Sequence, residues 1–549
     1  MGFSLLILSV FSFPSYQHED SEILNSQKKK VVFMTGATGV MGSKTLEFIS
    51  QDLSDIHLKL LVRDSKDNHK KMAKYSSNSN IEIIWGDFLD YDTVFKCVQG
   101  SDYVLHIGGL VSPLADRQPY ETGRVNVGAA MTITKAVLAQ PNADNIKVCY
   151  IGSVAETGDR NYPIHWGRVG DPIKVSVYDH YGISKVIAER IFIESGIKKW
   201  VVLRQSGILH YELLHHIEPI MYDVPLNGVL EWATVEDSAI LMDHLVRYDL
   251  PDSFWCNIYN IGSGENYRMT NYEFESILLA SIGLGPLETL FDPNWFATQN
   301  FHGHFYADSQ VLEDYLHFRQ NVPIKDYFKY LGDQCEFYYK IPRLIPFKSL
   351  MGALAKPFMK YVSNTKVFGS QNWIKTHNLD RINTFYGSLE KYSNIPKNWE
   401  NFKIEHYNTS DAVAINYRLD HGYDESKPKS ELTIEDMKQA AKFRGRECLS
   451  KTMIKGDLRT KLHWKCGHCG KVFKASPTLI LLGGHWCPHC YIPHKKWDYC
   501  AIARTNPFFA QVWYPFHEKS ENNSYYFESL FTEPEWIKTT PLVEDFSYL

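Results

Sequence analysis

The sequence is short of most features that would assign it a specialised setting. Ten cysteines in 549 residues are too few for a disulfide-built scaffold. The only membrane-like run, Phe3 to Phe13, falls well short of the roughly 20 apolar residues that a spanning helix needs. No Lys or Arg precedes that run and no A-x-A-like site follows it, so it makes a poor secretory signal. Neither charge dominates: 58 Lys+Arg against 63 Asp+Glu leave a net −5, which excludes a chain drawn as a whole to nucleic acid or an anionic membrane. Internal repeats and low-complexity tracts are absent, which excludes a solenoid. What is present is 44% apolar and 14% aromatic residues, the composition of a globular protein long enough for two or three domains. A soluble, cytoplasmic protein is expected.

Charge and cysteine are spread unevenly. Between Ala441 and Ala510, 13 Lys+Arg face 3 Asp+Glu, so this stretch is +10 and the remainder −15. Six of the ten cysteines (Cys448, Cys466, Cys469, Cys487, Cys490 and Cys500) lie in the last fifth of the chain. Four of these form two Cys-x-x-Cys pairs, which points to metal in a reducing compartment.

From Lys30 onward, short apolar runs alternate with helical stretches. Val31–Met34, Leu58–Val62, Ile81–Trp85, Tyr103–Ile107, Lys147–Ile151 and Trp200–Leu203 read as buried strands, and Val125–Ala139 and Tyr181–Ser195 as helices. Parallel neighbours need a crossover helix, so this order predicts an α/β fold, a Rossmann-type doubly wound parallel sheet with a small substrate lobe. The expected organisation is an extension over 1–29, this domain over 30–330, an unassigned linker region over 331–430, a zinc-ribbon module over 431–515 and an acidic tail over 516–549. Thr433 with Asp436 reads as a capping box opening a helix that Gly445 ends.

Directly after the first strand stands Thr35-Gly36-Ala37-Thr38-Gly39-Val40-Met41-Gly42. Gly36 permits a tight turn, Gly39 lets the backbone approach a pyrophosphate, and Gly42 allows close helix–strand packing. Gly36, Thr38, Gly39, Met41 and Gly42 are therefore the expected contacts of a dinucleotide lying at the positive end of the next helix. At the end of the second strand, Val62 stands where a ribose-binding acid is expected. Arg63 follows it and suits a 2′-phosphate, so NADP is favoured over NAD.

Tyr181 and Lys185 are four residues apart and share a helix face, so the ammonium is expected to lower the pKa of the phenol and make it a usable acid or base. Ser153 ends the fifth strand at the carboxyl edge of the sheet, where it can hydrogen-bond the substrate oxygen that Tyr181 protonates.

With these motifs in place, the chain resembles the extended short-chain dehydrogenase/reductase superfamily, the NAD-dependent epimerase/dehydratase group, over about residues 30 to 280. TGATGVMG, Gly86-Asp87, HIGGLVSP (106–113), Val125-Asn126-Val127-Gly128, Gly152-Ser153, YGISK and Leu203-Arg204 carry the resemblance. It implies that Asp87 contacts the adenine, that Asn126 helps organise the catalytic group, and that Ser153, Tyr181 and Lys185 are catalytic, the last two also touching the cofactor. Gly228–Asp237 looks like a later strand–Asp turn near the substrate lobe. Sugar-nucleotide dehydratases carry Asp-Glu just after the catalytic Ser/Thr, whereas Val154-Ala155 stands here. Epimerases place an Asn three residues after the Leu-Arg arginine, and here Gly207 stands there. The looser likeness is to hydroxysteroid dehydrogenases and dihydroflavonol-type reductases, which implies plain alcohol/ketone hydride transfer. The alternatives are a sugar-nucleotide epimerase and a dinucleotide-sensing regulator that acts through its zinc module.

Cys466-x-x-Cys469 and Cys487-x-x-Cys490, 17 residues apart, have zinc-ribbon spacing. Four thiolates complete a tetrahedron, so a structural zinc is expected, with His468, His485 and His489 as surface or outer-shell groups and Cys448 and Cys500 as ordinary thiols. The stretch resembles ribbon or treble-clef modules. Its basic balance fits docking or a protein partner better than nucleic acid. The other partners expected are a small alcohol or ketone and a second copy of the chain, with no membrane. The dinucleotide domain is expected to keep its own core and to be independent of the metal.

Overall fold

A computed structural model describes residues 29–214, 217–335 and 337–531. The Phe3–Phe13 run lies outside them. Seven strands form one sheet: β1 (Lys30–Thr35), β2 (Ile56–Val62), β3 (Ile81–Trp85), β4 (Tyr103–His106), β5 (Lys147–Ser153), β6 (Lys199–Gln205) and β7 (Asn257–Ile261). All pairings are parallel and the order is β7-β6-β5-β4-β1-β2-β3. A parallel sheet is buried on both faces, which is why its strands read as unbroken apolar runs. In β1, Val32 and Met34 enter one core layer while Phe33 enters the other.

The helices that matter for the site are α1 (Val40–Ile49), α2 (Pro119–Leu138), α3 (His180–Glu194) and α4 (Val235–Arg247). Leu46 and Ile49 of α1 and Leu241 and Leu245 of α4 pack on the first face. Ile133 of α2 and Ile187 and Ile191 of α3 pack on the second. α2 begins six residues before the expected start, at Pro119, because proline at the first helical position gives up an N–H that has no partner there anyway. The strand order reverses between β1 and β4, which opens a crevice at the carboxyl edge of the sheet.

The region 331–430, for which the sequence suggested no fold, is mainly short helices and connecting turns. Two of them, α5 (Ser370–Lys375) and α6 (Leu379–Tyr386), send Trp373, Ile382, Phe385 and Tyr386 into the same core as α3. α7 (Ile434–Phe443) opens on the Thr433/Asp436 capping box, and Gly445 follows it at φ +89°. β8 (Leu462–Lys465) and β9 (Val472–Ala475) form the expected hairpin in antiparallel register. Among the described residues no helix is long and apolar enough to cross a membrane.

The core does not stop at the end of the Rossmann sheet. Trp464, Phe473, Trp486, Trp497 and Trp513 belong to the same buried cluster as Phe33, Val104 and Ile187. As a result α3 is buried on every side, and only Tyr181 along its length keeps partial exposure. The expectation that the dinucleotide domain keeps a core of its own holds on one face of the sheet, where the buried layer is built from residues between Val32 and Phe318, and is corrected on the other, where the cysteine-bearing segment covers the outer face of α3.

Candidate active site

The glycine-rich turn has the geometry of a phosphate cradle. Gly36 takes φ +80°, and a Cβ there would lie 2.6 Å from the Gly108 amide nitrogen. A Cβ on Gly42 would fall 2.0 Å from the Gly36 carbonyl oxygen, so α1 can begin this close to β1 only with glycine. Gly39 caps α1 without a side-chain hydrogen bond, and the first-turn amides are presented toward the crevice end of the sheet. Thr38 and Met41 sit in the same turn, and the Thr38 carbonyl accepts from Lys71 Nζ at 3.0 Å. These residues fit a dinucleotide pyrophosphate. Gly42→Ala should weaken NADH binding by about fivefold to a hundredfold in a fluorescence titration, since overpacking of this kind costs about 1–3 kcal/mol.

Arg63 and Asp87 are both exposed beyond β2 and β3. Val62 is buried at the end of β2, the Arg63 carbonyl accepts from Asn68 Nδ2 at 2.8 Å, and Asp87 Oδ1 accepts the Leu89 N–H at 2.9 Å. The Arg63 side chain acts electrostatically on Glu121, which is itself paired with Arg124.

Ser153, Tyr181, Lys185 and Asn126 are brought together. The Ser153 side chain lies close enough to the Tyr181 phenol to favour its ionised form. It also caps the next turn, with its Oγ accepting the Ala155 N–H at 3.2 Å. Lys185 Nζ donates to the Ile151 carbonyl at 2.7 Å and lies 5.9 Å from the Tyr181 ring centroid. Asn126 Nδ2 donates to Ser184 Oγ at 2.9 Å, and Ser184 Oγ donates to the Tyr181 carbonyl at 2.7 Å. Asn126 thus braces the turn of α3 that carries Tyr181.

The expected depression of the tyrosine pKa is not what the geometry produces. Burial raises the Tyr181 phenol above its ordinary value, outweighing the effect of Ser153, while burial brings Lys185 down to about 8. The lysine charge is committed to Ile151, and desolvation of the phenol dominates. Tyr181 is therefore held protonated near neutral pH, in the form that can donate to a carbonyl oxygen.

Sequence reasoning missed the charged layer beneath this site. Glu156 Oε1 accepts the Ser153 N–H at 2.8 Å, which completes a capping box whose Ser-x-x-Glu signature stands in the sequence at 153–156. Glu189, one further turn along the face of α3 that carries Tyr181 and Lys185, takes a bidentate pair from Arg204 at 2.9 and 2.6 Å. His485 Nε2 lies 2.9 Å from Glu189 Oε1, and Arg204 also donates to the Gly483 carbonyl at 2.7 Å. Glu156, Glu189 and His485 come close enough to hold a metal, but Arg204 already supplies the positive charge at their centre. His485, expected at the surface or in an outer shell, is a buried contact between the cysteine-rich segment and α3.

Cys466, Cys469, Cys487 and Cys490 converge, with Sγ–Sγ distances of 3.5 Å (Cys466–Cys490) and 3.6 Å (Cys469–Cys487). A tetrahedral ion with Zn–S near 2.3 Å needs sulfurs about 3.7 Å apart, so the four thiols fit one.

Before α3 lies a cleft walled by Asp116 and Ser112 after β4, by Tyr178 and Asp179, and by Arg381 and Phe385 of α6; Ser153, Tyr181 and Lys185 are not among its lining residues. The 331–430 region therefore builds part of the wall of this cleft.

Residues 32–201 match the family described as the NAD dependent epimerase/dehydratase family. A UDP-glucose 4-epimerase of Rickettsia akari is 27% identical over 168 residues, which are 30% of this chain and 43% of that protein. The UDP-glucose 4-epimerase of Rickettsia canadensis is 31% identical over 113 residues, 20% of this chain and 33% of that one. The chain thus spans less than half the length of the curated relatives it matches. Among solved structures, dTDP-glucose 4,6-dehydratase of Bacillus anthracis in complex with NAD has a TM-score of 0.44 at 15% identity, covering 55% of this chain and 96% of that one. UDP-glucose 4-epimerase of Thermotoga maritima with UDP-glucose has a TM-score of 0.42 at 15% identity, covering 57% and 100%.

Proposed function

We propose that this chain, which carries an NAD-dependent epimerase/dehydratase domain over residues 32–201, is an oxidoreductase that interconverts an alcohol and a ketone. The observation that carries the reading is the meeting of Ser153, Tyr181 and Lys185 at the carboxyl edge of the sheet. The dinucleotide, when bound, supplies or accepts the hydride. The chain's own residues handle the proton. Tyr181 Oη gives it to the ketone oxygen, Ser153 hydrogen-bonds the same oxygen, and Lys185 keeps a positive charge beneath the phenol. Near neutral pH the buried, protonated phenol favours the reducing direction. Two carboxylates flanking the substrate, as elimination of water requires, are not supplied at 154–155, where Val and Ala stand.

The curated relatives favour a second reading, epimerisation through a transient ketone. Native mass spectrometry separates the two. A dinucleotide retained through purification supports the epimerase, which regenerates its cofactor each cycle, and an exchangeable one supports the dehydrogenase.

For the cofactor, Val62 followed by exposed Arg63 favours NADP over NAD. Arg63→Ala should weaken NADP binding markedly and leave NAD binding nearly unchanged. Titration of both dinucleotides decides it, and equal losses would return Arg63 to a solvated charge.

The four cysteines hold a structural zinc in this reading, because four thiolates leave no position for an activated water. Paired thiols of this kind suit the cytoplasm. The basic face of the module serves docking, first of all onto its own catalytic helix.

A further inference from the structure

One helix of the 331–430 region keeps an apolar side that nothing among the described residues covers. The helix Lys348–Ser363 is fixed by its inner side: Met359 and Val362 enter a buried cluster with Leu287 and Leu290, and the Met359 carbonyl accepts from Tyr222 Oη at 2.8 Å. A Cβ on Gly352 would lie 1.9 Å from Thr289 Oγ1, so the helix is seated tightly there. On the opposite side Leu350, Leu354, Phe358 and Tyr361 recur at helical spacing and are 58%, 67%, 54% and 73% exposed. Phe347, just before the first turn, is exposed as well. A helix apolar on one side is explained by its core, but one apolar on two opposite sides has a second surface to cover. The preceding helix, Phe337–Leu344, repeats the pattern, with Phe337, Ile341 and Leu344 exposed at the same spacing.

The charges around this side select its partner. From Phe337 to Phe368 there are six Lys+Arg and no Asp or Glu, a local +6 that leaves −11 on the rest of the chain. Arg343 pairs with Asp333 and Lys356 with Asp292. Lys340 and Lys348 donate to backbone carbonyls, and Lys360 and Lys366 are exposed, so among the described residues these four form no ion pair. A second copy of the chain would bring like charges together across a two-fold contact. The Phe3–Phe13 run carries no acid to meet them. An anionic bilayer surface meets both features, taking the apolar stripe into its headgroup boundary while the lysines reach its phosphates. The negative charge on the rest of the chain opposes this little, because the attraction acts within a Debye length of the surface, about 8 Å at physiological ionic strength. At 16 residues the helix is shorter than the roughly 20 apolar residues that spanning needs, so it would lie along the surface.

We propose that the helix Lys348–Ser363 docks this protein on an anionic phospholipid surface, with Leu350, Leu354, Phe358 and Tyr361 entering the headgroup boundary and Lys360 and Lys366 meeting lipid phosphates. The docking holds whatever reaction Tyr181 serves, and it is read by binding alone.

The test is sedimentation of the full chain with vesicles of phosphatidylcholine alone and of equal parts phosphatidylcholine and phosphatidylserine. Binding should be at least about tenfold stronger on the anionic mixture and should weaken as salt is raised. The double substitution Leu354→Glu with Phe358→Glu should lower binding to the anionic mixture at least about tenfold. Lys360→Glu with Lys366→Glu should remove most of the preference for that mixture. All four side chains are exposed, so both variants should melt at the wild-type temperature. No sedimentation of the full chain with either vesicle overturns the proposal and leaves an acidic protein, or residues 532–549, as the partner of this side. Equal binding to the two vesicles, or equal binding by wild type and the Leu354→Glu, Phe358→Glu chain, overturns it too, because another segment would then hold the lipid.

Discussion

Tyr181→Phe is expected to remove turnover almost entirely while dinucleotide binding survives. Loss of a general acid typically lowers a rate about 100- to 10,000-fold. The phenylalanine fills the same space on the partly exposed turn of α3, so Asn126 and Ser184 still brace that turn. The glycine cradle lies across the sheet, with Ala37 and Met41 in the core layer opposite that of Ile183 and Val186. NADH titration should therefore give an affinity close to wild type. Activity within a few-fold of wild type would show that another group moves the proton. Ser153→Ala should cost less, since Ser153 orients the oxygen and does not itself transfer the proton.

The residues that were legible in the sequence are those whose surroundings are local. β1, the glycine turn and α1 follow one another within twenty residues, and the close approach that requires Gly42 lies inside that span, although Gly36 also meets Gly108 of a distant loop. The Tyr181–Lys185 pair and the two Cys-x-x-Cys knuckles are also fixed by spacing along one helix or one hairpin. What the sequence concealed depends on contacts between distant segments. Lys185, Glu189, Arg190 and Glu194 look like the solvated face of an amphipathic helix, yet all four are buried. Their partners lie far along the chain: Glu189 meets His485 across 296 residues, Arg190 Nη1 donates to the Trp486 carbonyl, and Glu194 accepts the Ser476 N–H. No periodicity in α3 reports that cover. The spacing of Tyr181 and Lys185 likewise carries no sign of the burial that raises the phenol's pKa.

In the proposed reading that cover makes the metal a condition of catalysis, and its removal carries the second large effect. Cys487 and Trp486 adjoin His485 and Gly483–Gly484, whose contacts reach Glu189, Arg204 and the Ile173 N–H. Without the ion, the second knuckle loses the bonds that hold it closed, and with them the part of the segment's folding free energy that metal binding supplies. Glu189 would keep its bidentate pair with Arg204 but lose His485, and the contacts of Arg190 with Trp486 and of Glu194 with Ser476 would open, loosening α3. The helix carrying Tyr181 and Lys185 should open before the glycine cradle does, because β1, α1 and α4 share the core layer on the opposite face. Chelation, or Cys487→Ser, should thus abolish turnover, expose the chain after about Lys442 to protease, and leave NADH affinity within a few-fold of wild type. His485→Ala isolates the coupling. With four cysteines intact it should retain one zinc by elemental analysis, and with Glu189 missing a partner it should still lose activity. Full activity in a chain shown to be free of metal would mean that α3 holds its charges without this cover.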